Sequence, residues 1–389
     1  MNLFENKIDC CGCWACVNIC PRKAIVMLED EEGFFYPKID EEKCINCDLC
    51  KKVCFYKNGY ANIADHVESK QVYALKHRNL RVRQESQSGG AFTALSDIIL
   101  DNEGVVYGVG FAENFTVLHK RAVTKITRDE FRGSKYIQSR VGEILKNVKD
   151  DLDADKLVMF TGTPCQVEGL KQYLGSHKKI ANLYLVDLIC YNSSSPKIWK
   201  EYLSFLEQRD SENIVSVKFR DKKFGWRTCI ETIQYKKNIR NYDNFARLFG
   251  SRLIARPSCY SCKFTNTNRC SDITIGDYWG IEKSIPNFED SLGVSLVLIN
   301  TSRGIELFEK IKESIEYISV SLDSALQPAL KANQSMPINR QKFWEDYQAK
   351  GIEYVIKKYN DHGLRGKIKS YLKKSNRILR WWSFFKNSK

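Results

Sequence analysis

The chain has no stretch approaching the roughly 18–20 consecutive apolar residues that span a bilayer. Its first residues, Met1-Asn2-Leu3-Phe4-Glu5-Asn6-Lys7, contain no apolar signal-peptide core. Transmembrane and secreted classes are therefore not expected. A disulfide framework is not expected either, because the 15 cysteines are odd in number and many fall at ligand spacing. The expected compartment is a reducing cytoplasm. Histidine is scarce: His66, His77, His119, His177 and His362 all stand outside the motifs described below, so no general acid is assigned. Acid is missing from one region altogether. From Gly363 to Lys389 there are nine Lys or Arg residues without one Asp or Glu, and they supply most of the chain's net charge of +14. Basic charge is a property of that segment and not of the whole surface, so nucleic acid is not an expected partner. The 389 residues, 43% hydrophobic and 12% aromatic, are enough for two or three folded domains.

What the chain does have is cysteine in a repeated spacing. Cys10, Cys13, Cys16 and Cys20, followed by Pro21, form one Cys-x-x-Cys-x-x-Cys-x-x-x-Cys run, and Cys44, Cys47, Cys50 and Cys54 form a second. This is the run of bacterial two-cluster ferredoxins, in which the fourth cysteine ligates the other cluster. Three thiolates two residues apart wrap a tight loop around three corners of a 4Fe–4S cube, and the fourth corner is reached from elsewhere. Cys10, Cys13, Cys16 and Cys54 are therefore expected on one cube, and Cys44, Cys47, Cys50 and Cys20 on the other. Zinc also uses Cys-x-x-Cys pairs, but no ordinary zinc module repeats this four-cysteine run twice. Cys11 is an extra thiol, and Phe55 stands where the second run would carry proline; neither removes a ligand. Between the runs, Ala24–Leu28 and Phe34–Pro37 flank a turn-rich Glu29–Gly33, a hairpin signature. A module this small has little apolar core, so its metals supply much of its folding free energy. Residues 1–60 are read as a two-cluster ferredoxin-like module.

From about residue 70, short β-rich runs alternate with amphipathic helices, as in an α/β layer architecture. Val72–Leu75 reads as a strand. Ser88-Gly89-Gly90 then opens a helix over Ala91–Leu100, where glycines permit close backbone approach and free N–H groups offer an anion site. A cofactor pyrophosphate is a natural occupant, although paired glycines before a helix also serve as plain punctuation. Gly104–Phe111 reads as a strand, and Arg132–Tyr136 as a loop carrying a cation, a hydroxyl and an aromatic ring. The strand Leu157–Phe160 runs into Thr161-Gly162-Thr163-Pro164-Cys165, and Leu183–Ile189 runs into Cys190. Both cysteines sit at strand ends, where ligands of α/β sheets bind. Cys259 and Cys262 form a later Cys-x-x-Cys loop. Four such thiolates are enough for a third cluster, but lone cysteines are also common as small buried hydrophobes.

These segments, in this order, resemble the beta-subunit family of deazaflavin (coenzyme factor 420) hydrogenases and dehydrogenases. The matching segments are Gln87–Gly90, Gly133–Tyr136, Thr161–Gln166, Asp187–Cys190, Cys259 with Cys262, and Asp272–Asp277. The bacterial, polysaccharide-associated members carry an N-terminal two-cluster ferredoxin module. The resemblance implies FAD in the α/β domain beside a third 4Fe–4S cluster on Cys165, Cys190, Cys259 and Cys262. It places the flavin contacts on Ser88, Gly89, Gly90, Ser134, Lys135, Tyr136 and Thr163. Cys229 and Cys270 fall outside the pattern. One departure stands out: many polysaccharide-associated members carry a histidine after the strand cysteine, where this chain has Tyr191.

The expected organisation is thus a ferredoxin-like module over 1–60, an α/β flavin and iron–sulfur domain over 70–310, a helical extension over 311–362 and a basic amphipathic tail over 363–389. The resemblance implies an oxidoreductase that passes electrons between 4Fe–4S clusters and FAD to reduce or oxidise a small-molecule substrate, in the setting of surface polysaccharide synthesis. A soluble ferredoxin is the expected electron partner. The alternative is an electron-transfer subunit that serves a catalytic site on a separate chain.

In the tail, Leu364, Ile368, Tyr371, Leu372, Leu379, Trp382 and Phe385 recur at helical spacing, opposite a lysine-rich face. This fits an interfacial helix on an anionic membrane surface, peripheral at the inner face, with Trp381, Trp382, Phe384 and Phe385 inserting at headgroup level. A terminal helix docked on its own domain is the competing reading. Full-length protein is expected to pellet with anionic vesicles at low salt, while a chain ending at Asp361 stays in the supernatant. Equal behaviour of the two chains removes the membrane anchor.

Overall fold

Val- and Ile-rich runs between amphipathic helices build a layered α/β architecture. The computed structural model describes residues 3–59 and 66–360. It falls into two units, Met1–Met336 and a second beginning at Pro337.

In the first unit, the turn over Asp30–Gly33, with Gly33 at φ +84°, joins β1 (Ile25–Glu29) to β2 (Phe35–Ile39) as an antiparallel hairpin. The chain continues through β3 (His66–His77), β4 (Val105–Phe111), β5 (Val117–Ala122), β6 (Val158–Gly162) and β7 (Leu183–Leu188). A separate three-stranded sheet holds β8 (Ile214–Lys218), β9 (Glu231–Tyr235) and β10 (Ile239–Tyr242), and β11 (Ile273–Asp277), β12 (Ser295–Thr301) and β13 (Ile315–Ser319) return to the main one. That main sheet is mixed and eight-stranded, in the order β13-β3-β12-β11-β7-β6-β4-β5. Its centre, β4, β6, β7 and β11, is parallel, and the outer pairs are antiparallel. Both faces of the central strands are covered, so they read as unbroken apolar runs. Val158, Met159 and Phe160 of β6 are all fully buried.

The strand period of two sorts these side chains between two cores. Val105, Tyr107, Val158 and Phe160 face the helices Ile144–Asp153 and Pro164–Leu174, while Val106 and Met159 face Ala91–Asp101 and Ser302–Ile311. Trp14, Ala15, Val53 and Phe55 of the N-terminal module belong to the first of these cores. The module therefore does not stand apart as a separate body. Trp14, Val53 and Phe55 are buried against the α/β layer, while Leu3, Ile25 and Ile39 form a small core of the module's own.

A second difference lies at the far boundary. Residues 311–362 were expected to be a helical extension, but Ile315–Ser319 form β13, the edge strand beside β3. The alternation in Ile315-Glu316-Tyr317-Ile318-Ser319 suits a half-buried strand, with Ile315 fully buried. The second unit holds two helical segments within Arg340–Asn360, broken at Gly351, whose φ is +75°. Lys358 and Tyr359 reach back to Asp346 at 2.5 and 2.8 Å. The tail over 363–389 lies outside the described residues.

One buried ion pair ties the loop after the Cys-x-x-Cys turn to the end of β7. Arg269 and Asp187 are 3.0 Å apart with side chains 1% and 0% exposed, and the guanidinium also donates to Phe264 O and Leu188 O. Removing one partner of such a pair leaves an uncompensated buried charge. Arg269→Met is expected to cost about 3–5 kcal/mol, read as a lowered urea midpoint. An unchanged midpoint shows that Asp187 is satisfied without it.

Candidate metal centres and cofactor cavity

The two N-terminal cysteine runs share one local backbone. Gly12 and Trp14 in the first have φ of +69° and +68°, and Asn46 and Asp48 in the second have +52° and +57°. Left-handed residues thus occur two and four places after the first cysteine of each run. Such turns curl the loop so that thiols and N–H groups point to one centre. The Cys16 thiol is pushed up by burial and by its neighbours Cys13, Cys10 and Cys54, and Cys54 likewise by burial and Cys13. The fourth cysteine of the second run therefore faces the first loop. Conversely Cys20, Cys44, Cys47 and Cys50 line one pocket, where Cys47 is exposed. The thiols thus gather in two groups, Cys10, Cys13, Cys16 and Cys54 in one and Cys20, Cys44, Cys47 and Cys50 in the other. Among the described residues no three side chains close on a single metal ion. Four thiols arranged around a pocket suit a multi-atom cluster better than one tetrahedral ion.

The scattered cysteines also come together. Cys165 falls in the first turn of the helix Pro164–Leu174, directly after β6, and Cys190 follows β7. Cys259 lies in the single turn Pro257–Ser261, with Cys262 just beyond it. The Cys190 thiol is pushed well up by burial and by neighbouring Cys259, Cys165 and Cys262. Burial pushes Cys259 up to about 12. Cys165 goes the other way, down to about 7, because the Cys11 thiol hydrogen-bonds to it. A quartet of thiols buried against one another is a donor set that fits an iron–sulfur cluster. Cys11 hydrogen-bonds to Cys13 as well, so the third set adjoins the first. The close approach depends on Gly169, one turn beyond Cys165, where an added Cβ would lie 2.7 Å from Cys13 Cβ.

A cavity of about 690 Å³ opens at the carboxyl ends of β6, β7 and β11, with Cys190 in its wall. This is where open α/β sheets bind ligands, and the volume lies in the range of cofactor sites. Of the expected flavin contacts, Ser88, Gly90, Ser134, Lys135, Tyr136 and Thr163 line it. Gly89 does not. Its backbone is pressed between strands, and a Cβ there would stand 2.1 Å from Leu75 O and 2.6 Å from Ser295 N. Gly90, at φ +97°, caps the helix Ala91–Asp101. Lys222 donates to Ser88 O at 2.7 Å and braces the loop from behind.

Several cavity residues had no signal in the sequence. Arg220 pairs with Asp277 at 2.5 Å and donates to the Tyr136 hydroxyl at 3.1 Å. Asp277 Oδ1 and Asn192 Oδ1 are buried in the cavity wall without a hydrogen-bond partner. Such orphaned acceptors mark a place where a bound group would supply donors. Asp277 belongs to a segment singled out from sequence, but its partner Arg220, 57 residues away, does not. His119 lies behind the cavity wall with Nδ1 3.0 Å from Ser139 Oγ, which also accepts from Gln166. Burial lowers its pKa to about 4, so it is neutral at pH 7. Tyr191 lines the cavity and donates to Gly250 O at 3.2 Å. Cys229 is exposed at the cavity edge, and Cys270 is buried with its thiol donating to Pro164 O.

Comparison with known proteins follows these divisions. Residues 155–324 match the family model for the C terminus of the coenzyme F420 hydrogenase/dehydrogenase beta subunit, and residues 9–58 match a 4Fe–4S dicluster domain. Over residues 155–324 the chain belongs to the C-terminal family of F420 hydrogenase/dehydrogenase beta subunits. The dicluster match makes it an iron–sulfur protein and holds all eight N-terminal cysteines. The beta-subunit match contains Cys165, Cys190, Cys259 and Cys262 but begins after Ser88–Gly90 and Ser134–Tyr136. An uncharacterized protein of Methanocaldococcus jannaschii, MJ1349, is 25% identical over 79% of this chain and 89% of its own length. An uncharacterized ferredoxin of the same organism, MJ0722, is 38% identical over 14% of this chain and 69% of its own length. Among solved structures, a chain of the xenon-derivatized F420-reducing [NiFe] hydrogenase complex from Methanosarcina barkeri aligns with TM-score 0.47 and 16% identity, over 76% of this chain and 90% of that one.

The cavity's electrostatics can be tested directly. Desolvation lowers the Lys135 ammonium to about 7, so its charge changes near neutral pH in the free protein. A phosphate-bearing ligand would favour the charged form and raise that pKa. Its affinity is therefore complete below about pH 7 and declines as the pH rises above it. Calorimetric binding of FAD across pH 6–9 is expected to show this decline, and Lys135→Met is expected to flatten it. A flat wild-type profile excludes Lys135 from the anion contact.

Proposed function

We propose that this protein is an iron–sulfur flavoprotein oxidoreductase. Cys10, Cys13, Cys16 and Cys54 would hold the inner cluster of the N-terminal module, Cys165, Cys190, Cys259 and Cys262 would hold a third, and the cavity would hold FAD; together these groups would supply electron exchange between a donor at the exposed end of the module and a small-molecule substrate. The observation that carries this reading is adjacency: Cys11 touches both inner cysteine sets, and Cys190 belongs at once to the third set and to the cavity wall. Bound FAD would supply hydride exchange with the substrate and single-electron exchange with iron–sulfur centres.

The residues of the chain perform the remaining tasks. Gly90 and the helix it opens would present N–H groups to an anionic portion of the cofactor, and Lys135, whose Nζ donates to Glu130 O and Arg132 O at 2.9 Å, would add a cation from the cavity lining. Asn192 and Asp277 offer acceptors to donors on the ligand. The aromatic side chains of Tyr136, Tyr191 and Phe249 form an apolar wall that limits water. A setting in surface polysaccharide synthesis belongs to this reading through the resemblance of the sequence, with a soluble ferredoxin as donor. The family's description as a beta subunit supports the second reading, in which the same route feeds a catalytic site on another chain.

Protein purified without oxygen is expected to hold about twelve irons, four for each of three cubes, and to release flavin on heating. Cys259→Ala is expected to retain about eight irons, those of the two N-terminal cubes. About eight irons in both proteins removes the third cluster, and a colourless heat supernatant removes the flavin. Stable co-purification with a second chain that alone turns over substrate favours the subunit reading.

A further inference from the structure

The three most deeply buried arginines are Arg128, Arg256 and Arg269. Arg128 meets Asp97 at 2.6 Å and Arg269 meets Asp187 at 3.0 Å. Arg256, 1% exposed, has no carboxylate partner among the described residues. Its Nε donates to Cys10 O at 2.8 Å, Nη1 to Gln138 Oε1 at 2.9 Å and Nη2 to Phe35 O at 3.0 Å. These partners are neutral dipoles. The remaining contacts are Nη2 to Cys10 Sγ at 3.7 Å and the faces of the Tyr36 and Phe34 rings at 4.1 and 5.5 Å. Gly12, in the first cysteine loop, leaves room for the guanidinium, since a Cβ there would come within 3.2 Å of Arg256 Cζ.

A buried cation without an anion is costly. Among the described residues, the groups near Arg256 that can carry negative charge are the thiols of Cys10, Cys11 and Cys259 and the Tyr36 hydroxyl, and Cys10 is the thiol to which the guanidinium hydrogen-bonds. The outer site has no such feature. Lys43 and Lys51 beside it are exposed and already paired with Asp40 and Asp48 at 2.7 and 2.8 Å, and Arg22 at its edge is exposed to solvent. Solvent-exposed charges are screened, whereas a buried one is not.

We propose that Arg256 is the fixed counter-charge of the Cys10, Cys13, Cys16 and Cys54 site, and that it raises the potential at which this site accepts an electron above that of the outer site. A cation stabilises the reduced, more negative state over the oxidised one. One electron leaves the outer site, which is oxidised, and reduces the inner site. No bond forms or breaks and no proton moves. Arg256 is a positioning residue that gives the module a direction, from exposed Cys47 inward. The inference rests on the cluster assignment of the proposed function, which the iron content of the unsubstituted protein tests separately.

The experiment measures the midpoint potentials of the N-terminal clusters by EPR on anaerobically prepared full-length protein, with the outer signal identified by its loss in Cys47→Ala. Arg256→Gln is expected to lower the inner potential and leave the outer one at its original value, and Arg256→Lys is expected to recover most of the shift. Should Arg256→Gln lose iron from the inner site, Gln138→Glu decides. It sets a carboxylate beside Nη1 in almost the same volume, at the loss of one hydrogen bond to Cys11 O, and is expected to lower the inner potential alone. An inner potential that stays put in an iron-replete Arg256→Gln or in Gln138→Glu, or one that moves together with the outer potential, overturns the proposal.

Discussion

The close packing of the first cysteine loop against the helix Pro164–Leu174 is the contact on which the rest of the molecule depends. Gly169 allows Cys13 to lie against the helix, and Cys165 one turn earlier then comes within reach of the Cys11 thiol. The same approach buries Trp14 and Phe55 in the core that covers β4 and β6. A small metal-stapled module cannot form much core of its own. Here it borrows one, and its position is thereby held rigidly relative to the sheet. Electron transfer needs fixed distances between centres, and packing at crystal-like density is what fixes them.

The sheet supplies the second half of the arrangement. Parallel strands β6, β7 and β11 end on one side, so the residues that follow them converge whatever their separation in the chain. Thr163 and Cys165 follow β6, Cys190 follows β7, and Asp277 closes β11. Two thiols of the buried quartet and the cavity wall are therefore built from the same strand ends. Cys190 belongs to both because the chain turns there between the thiol quartet and open space. Four buried groups are accommodated in different ways: Arg269 and Arg220 have carboxylates, His119 is kept neutral, and Arg256 faces sulfur.

Much of the strand–helix alternation was legible, because the β-branched runs at 105–111, 158–162 and 183–188 and the glycine-opened helix at 91–101 depend on local pattern. The edge strand Ile315–Ser319 was not. Five residues with charged and polar neighbours favour no one state, and pairing with β3 decides. A glycine pair before a helix is the same signal whether the backbone must approach a ligand or a neighbouring strand. Here both glycines lie close to β3, Gly89 against Leu75 O and Gly90 against His77 Cβ, and of the two it is Gly90 that lines the cavity.

The sequence by itself determined the iron–sulfur chemistry of the first 58 residues, because a Cys-x-x-Cys-x-x-Cys loop is local: its thiols converge through a few dihedral angles of one turn. It also determined the family, through short motifs kept in order. Tertiary structure alone decided what those motifs touch. Cys165, Cys190, Cys259 and Cys262 are separated by up to 97 residues; the parallel sheet brings the first two together, and the turn Pro257–Ser261 brings the last two to them. Arg220 and Arg256 carry no motif at all. What distinguishes a solvated arginine from one held against a cysteine site is burial and the absence of a carboxylate, and neither property exists until the chain has folded.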